Sequence, residues 1–143
     1  GGREKAPAAA SRKVALAALT GETEIEIWGD GEQTRSFMYI DDCVKGTMML
    51  ARSNYTEPIN IGSAEVVTIN GLFKIVEEIA GISLDYRHIP GALGVRGRNS
   101  DNTLIQKEFG WEPSIRLAAG MERTYRWVYD QVKAKLDGRP YTN

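Results

Sequence analysis

Apolar positions along this chain switch between a helical period and strict alternation. Residues 8–19 are a run of good helix formers, with Pro7 placed where a first-turn proline belongs and Gly21 able to end the helix. Ile25 and Ile27 then alternate with Glu24 and Glu26, which predicts a half-buried strand. Gly29-Asp30-Gly31 turns the chain sharply, because glycine reaches positive φ at little cost. Residues 36–40 read as a short strand running into Asp41-Asp42, carboxylates that suit the start of a helix continuing over 44–52. Residues 59–61 predict a brief strand closed by Gly62, and 66–69 another extended piece, with Asn70 as cap for a helix over 72–80. Residues 84–89 are a strand candidate, and 90–100 form a glycine-rich basic loop. Asp101 or Ser100 can cap a helix over 104–109, which Gly110 stops. The longest helix is expected over 117–136, with Leu117, Met121, Tyr125, Val128 and Val132 near one stripe. Trp28, Trp111 and Trp127 are read as packing residues. Helices and short strands interleave, so the fold class is α/β (α+β), with one domain over 1–143.

Bulk properties narrow the class without naming a reaction. A chain of 143 residues can bury a real core. Its net charge of −1 gives no electrostatic argument for nucleic acid or an anionic membrane as partner. The single cysteine, Cys43, leaves no internal disulfide and fits a reducing cytoplasm. One Cys and one His do not make a conventional zinc site. No apolar run approaches the roughly 20 residues of a membrane span, and the N-terminus does not read as a signal peptide.

Three runs carry polar groups in arrangements that suit chemistry. The first is residues 1–8, GGREKAPA. A primary amine such as Lys5 can carry a proton at a carbon next to a carbonyl once its pKa falls toward neutral, and nearby Arg3 and partial desolvation both act that way. Composition alone reads Lys5 as a solvated lysine. The second run is Gln33-Thr34-Arg35, just past the glycine turn. Gln and Thr offer neutral hydrogen bonds and Arg a planar fork for phosphate. Its plain alternative is a polar turn ending in a solvated arginine, with Asp30 a turn former. The third is residues 94–100, GVRGRNS, where glycines alternate with Arg96 and Arg98. There the backbone can approach a ligand closely and two guanidiniums can converge on a diphosphate; the alternative is a flexible basic loop. His88 has no partner set for a triad or a metal, and capping explains Asp41-Asp42 better than paired catalysis.

Residues 1–8, 28–39 (WGDGEQTRSFMY), 58–63 (PINIGS) and 88–102 (HIPGALGVRGRNSDN) together resemble the extended short-chain dehydrogenase/reductases. These are the NAD-dependent epimerase/dehydratase family of sugar-nucleotide enzymes, and the runs resemble its GDP-mannose 3,5-epimerase group most. The resemblance spans nearly the whole chain. It implies the C-terminal substrate domain of that fold, with segments that would complete a Rossmann sheet. The main N-terminal Rossmann half is expected to be lacking, since no G-x-x-G-x-x-G after a strand and no Tyr-x-x-x-Lys is read in the chain. The resemblance implies a reaction in which NAD oxidises a sugar hydroxyl to a ketone, protons move at the acidified neighbouring carbons, and the ketone is reduced again. Lys5 then matches one of two acid/base groups; the other is a cysteine of the missing half, which Cys43 is not. Glu4, Lys5, Ala6, Lys13, Gln33, Thr34 and Arg35 match sugar-nucleotide contacts, Arg98 matches a pyrophosphate-binding arginine, and Arg96 is its helper.

The function so implied is the substrate-binding portion of an NAD-dependent nucleotide-sugar epimerase, not catalytically competent alone and with no NAD expected on this chain by itself. Its partner would be GDP-mannose or a related nucleotide sugar. Two other readings stay open: a piece of another sugar-nucleotide epimerase or dehydratase, and a stand-alone nucleotide-sugar-binding module. Residues 36–40 and 58–61 are expected to be unpaired sheet edges, and hence to drive a homodimer through an interface foreign to the family.

Overall fold

The computed structural model describes residues 4–91 and 94–140. Three helices make the centre of the molecule: α1 (Ala6–Thr20), α3 (Ile69–Ala80) and α5 (Leu117–Leu136). α1 packs against both of the others, and α3 also packs against α5. Alanines let α1 approach closely: Ala10, Val14, Ala15 and Ala17 are all buried, facing Leu72, Phe73 and Val76 of α3 and Leu117, Met121 and Tyr125 of α5. Pro7 lies in the first turn of α1, and Gly21 ends it in the left-handed conformation, its N–H donating to Ala17 O at 2.9 Å.

Two small sheets flank the helices. β1 (Glu24–Trp28) pairs in parallel with β4 (Asp85–Ile89), Glu24 opposite Asp85 through Trp28 opposite Ile89. Ile25 and Ile27 enter the core on the inward phase of β1. Glu24 and Glu26, on the outward phase, both pair with Arg87 of β4. β2 (Thr34–Ser36) pairs antiparallel with β3 (Val66–Thr68). The remaining helices, α2 (Ile40–Ala51) and α4 (Thr103–Phe109), lie outside the central three.

Several local expectations need correcting. The strand expected over 36–40 lies earlier, at Thr34–Ser36, and the chain is already helical at Ile40. Pairing decides this: only 34–36 lies beside β3. Residues 59–61 form no strand, since no strand lies alongside them among the described residues. Thr68, not Asn70, caps α3, its Oγ1 accepting from Gly71 N at 2.9 Å. Asp42 is buried in the first turn of α2 and reaches across the molecule. It accepts from Ser114 N at 2.8 Å, Ile115 N at 2.7 Å and Ser114 Oγ at 3.1 Å, just before α5. Trp28 and Trp127 are 53% and 60% exposed, so neither is a core residue. Trp111 does pack, with Ile61, against Gly46 of α2, where an added Cβ would meet both at 2.9 Å.

Candidate functional site

The N-terminal turn of α1, the end of β1 and the start of α3 enclose a cavity of about 300 Å³. Glu4, Ala6, Lys13 and Gln33 line it, drawing on both the first and the second runs. Its other walls include Arg12, Glu26, Trp28, Ile69 and Phe73. Apolar surface with a few convergent polar groups is the usual make-up of a ligand pocket. Arg12 holds Glu4 in place, its Nε donating to both carboxylate oxygens at 2.9 and 3.0 Å and its Nη2 to one at 2.5 Å. That hydrogen bonding keeps the Glu4 carboxyl below its ordinary range. Lys13 donates to Glu26 O, and burial, with Arg12 adding its charge, lowers its pKa. Gln33 is only 8% exposed, and its Oε1 has no hydrogen-bond partner. A cavity wall is where such an oxygen can wait for a ligand donor.

The glycine turn is fixed from α3. Gly29 and Gly31 have φ of 73° and 72°. An added Cβ on Gly31 would stand 1.9 Å from Asn70 Oδ1, so only glycine fits. Asn70 N donates to Gly31 O at 2.9 Å, and its Nδ2 donates to Asp30 O at 3.0 Å and Glu32 Oε1 at 2.8 Å. Asp30 is the turn former expected, its Oδ1 accepting from Glu32 N at 2.9 Å.

Beyond the turn, the structure joins the second and third runs. Thr34 N donates to Arg96 O at 2.9 Å and Arg98 N to Thr34 O at 3.2 Å, a parallel bridge between Thr34 and Gly97. Arg35, whose Nη1 donates to Thr34 O at 2.6 Å, brings its Nη2 to 3.8 Å from the Cβ position of Gly94. Arg98 is exposed, and its guanidinium has no ion-pair partner among the described residues. Arg96 differs: its Nη1 donates to both oxygens of Asp30, at 3.0 and 2.7 Å. Lys5 sits at the N-cap position of α1, exposed and not a wall of the cavity. Arg3 lies outside the described residues.

Arg12, Glu26 and Trp28 were not foreseen as cavity walls. Trp28 had a signal, since it shares the outward phase of β1 with Glu24 and Glu26. A larger, open depression of about 490 Å³ beside α4 is a weaker candidate. Its one ionisable wall is Asp101, which would repel an anion.

Two patterns read as absent do occur, without the context that gives them their chemistry. Gly91, Gly94 and Gly97 have G-x-x-G-x-x-G spacing directly after β4. A dinucleotide fingerprint opens a helix whose N-terminus meets the pyrophosphate. Here Gly97 bridges Thr34, and among the described residues that follow Gly91 no helix starts before Thr103. Tyr129 and Lys133 have Tyr-x-x-x-Lys spacing inside α5, where Tyr129 packs on the core beside Tyr125, and neither lines the cavity.

Residues 2–62 match the model of the NAD dependent epimerase/dehydratase family. The structure of UDP-glucose 4-epimerase from Thermotoga maritima with UDP-glucose matches with a TM-score of 0.77 at 30% identity, over 87% of this chain and 39% of that one. UDP-glucuronic acid 4-epimerase from Bacillus cereus, in complex with UDP-glucuronic acid and NAD, matches with a TM-score of 0.73 at 28% identity, over 85% and 40%. The chain belongs to the NAD dependent epimerase/dehydratase family and has the mixed α/β fold of the matching part of its epimerases. Its sequence relatives narrow this further. GDP-mannose 3,5-epimerase from Arabidopsis thaliana and GDP-mannose 3,5-epimerase 1 from Oryza sativa subsp. japonica are each 50% identical to it over 139 residues, 96% of this chain. The chain spans 36% of the length of these relatives. No helix among the described residues is long and apolar enough to cross a membrane.

Proposed function

We propose that this chain forms the nucleotide-sugar-binding portion of an NAD-dependent epimerase that acts on GDP-mannose or a close relative. The observation that carries the reading is convergence. Glu4, Ala6, Lys13 and Gln33, which the family resemblance matches to sugar-nucleotide contacts, come from separated segments to line one cavity. Beside it, Arg35 and Arg98 stand on backbone segments bonded to each other. Their guanidiniums, with the Lys13 ammonium, would balance a diphosphate, and Thr34 adds a neutral hydrogen bond. Trp28 offers an aromatic face to a base. Lys5, next to two cavity walls, would hold or deliver a proton at a carbon beside a sugar ketone. NAD would supply the hydride chemistry, held by a portion of the enzyme other than the residues described here. A reducing cytoplasm suits this function.

Amide-shift titration of the chain with GDP-mannose tests the reading. Part of a cleft buries only part of a ligand, so the expected affinity is about millimolar, about −4 kcal/mol. Residues 33–35 and 96–100 should shift first; shifts confined to the depression beside α4 would reject the site. With NAD⁺ added, no new hexose epimer is expected above a heat-killed control, and turnover would show a complete enzyme.

A further inference from the structure

We infer that Asp30 and Arg96 form a clasp that sets the loop bearing Arg98 against Gln33–Arg35, and that Arg96 is a positioning residue rather than a ligand contact. The inference rests on the nucleotide-sugar reading and gives Arg96, read from sequence as a helper of Arg98, a positioning role. The clasp joins residues 66 positions apart, its Arg96 Nη1 within 2.7 and 3.0 Å of the two Asp30 oxygens. Its two ends are fixed differently. Asp30 belongs to a turn pinned by Asn70 from α3. Arg96 belongs to an exposed loop whose other backbone tie to this region is the bridge at Thr34 and Gly97. Both side chains of the pair are exposed, so it adds little to global stability. A tie between a pinned turn and an exposed loop acts locally instead: beside the backbone bridge of Thr34 and Gly97, it steadies the segment that carries Arg98 against Gln33–Arg35.

The sign of one substitution separates this from simple electrostatics. Asp30→Asn keeps a side-chain acceptor for Glu32 N but loses the charge that holds Arg96. If Arg96 were a phosphate ligand restrained by Asp30, freeing it and removing a nearby carboxylate would tighten binding of an anion. If the pair is a clasp, the same change weakens binding. We expect Asp30→Asn and Arg96→Gln each to weaken GDP-mannose binding about threefold, and the double variant to do no worse than either. The charge-conserving Arg96→Lys should retain most of the affinity. In parallel, ¹⁵N relaxation should show residues 94–98 loosened in Asp30→Asn and Arg96→Gln and close to the parent in Arg96→Lys. Unchanged or tighter binding by Asp30→Asn, or additive losses, overturns the clasp. Loosening in the variants when even the parent chain fails to bind GDP-mannose leaves the clasp standing and removes the nucleotide-sugar reading. Parent-like binding and order in every variant does the reverse.

Discussion

Gln33 sets two energies against each other. A buried acceptor without a partner costs about 1–3 kcal/mol, and an apolar replacement of similar shape removes that cost. Gln33→Leu should therefore hold or raise stability, by about 1 kcal/mol, in urea unfolding. The same change should weaken GDP-mannose binding several-fold, because the ligand loses the acceptor Oε1. A variant that loses stability and keeps its affinity would make Gln33 a structural residue. Gln33, Glu4 and Ala6 were legible in the sequence as cavity walls because each sits in a run that resembles the family, and Lys13, outside those runs, came from the resemblance alone. Arg12 and Glu26 were not, because their place at the cavity depends on how α1 packs beside β1. The Arg96 partner was illegible for the same reason: nothing local links it to Asp30, 66 positions away.

Elements whose signal is local came out as read. Alternation gave β1, and alanines between Pro7 and Gly21 gave α1. β2 was displaced because its limits are set by β3 and Gly97, partners that no local pattern reveals. Asp42 shows how a residue that looks like a cap can join elements instead. Burial alone would raise its pKa, but N–H and O–H donors from Ile115 and Ser114, with the charge of Lys45, lower it below its ordinary 3.8. A carboxylate favoured in the folded state contributes stability above its unfolded pKa and loses it as pH falls through the lower folded one. The tie between α2 and the entry to α5 should thus hold down to about pH 4 and weaken below it. Asp42→Ala should cost about 3 kcal/mol at neutral pH, since it leaves three donors without their acceptor. It should also flatten the acid limb of the stability profile, which urea titrations from pH 2 to 7 would measure. An unchanged acid limb would remove Asp42 from this role.

At the scale of the molecule, self-association is expected through a different surface from the one the sequence pointed to. Ser36 is already paired to Val66, and residues 58–61 form no strand. The apolar surface lies instead on α2, where Ile40, Val44 and Met48 are exposed at successive four-residue steps. We expect a twofold dimer seated on that stripe, and Val44→Glu to convert it to monomer. Light scattering showing monomer for the parent chain at high micromolar concentration would reject it. The parallel pairing of β1 with β4 carries a consequence for the order in which the chain folds. All of β2, α2, β3 and α3 intervene between the two strands, so their union closes a long loop before any contact repays it. The helices can meet first, and the β1–β4 ladder then joins on the late side of the barrier. Ile27→Val in β1 should accordingly cost about 1 kcal/mol and spend it on faster unfolding, with refolding nearly unchanged in stopped-flow experiments. Slowed refolding would instead place the ladder in the nucleus. With the ladder late, Trp28 and Gly91, which touch at its end, meet late as well, and the ligand cavity takes shape only once the core beneath it is built.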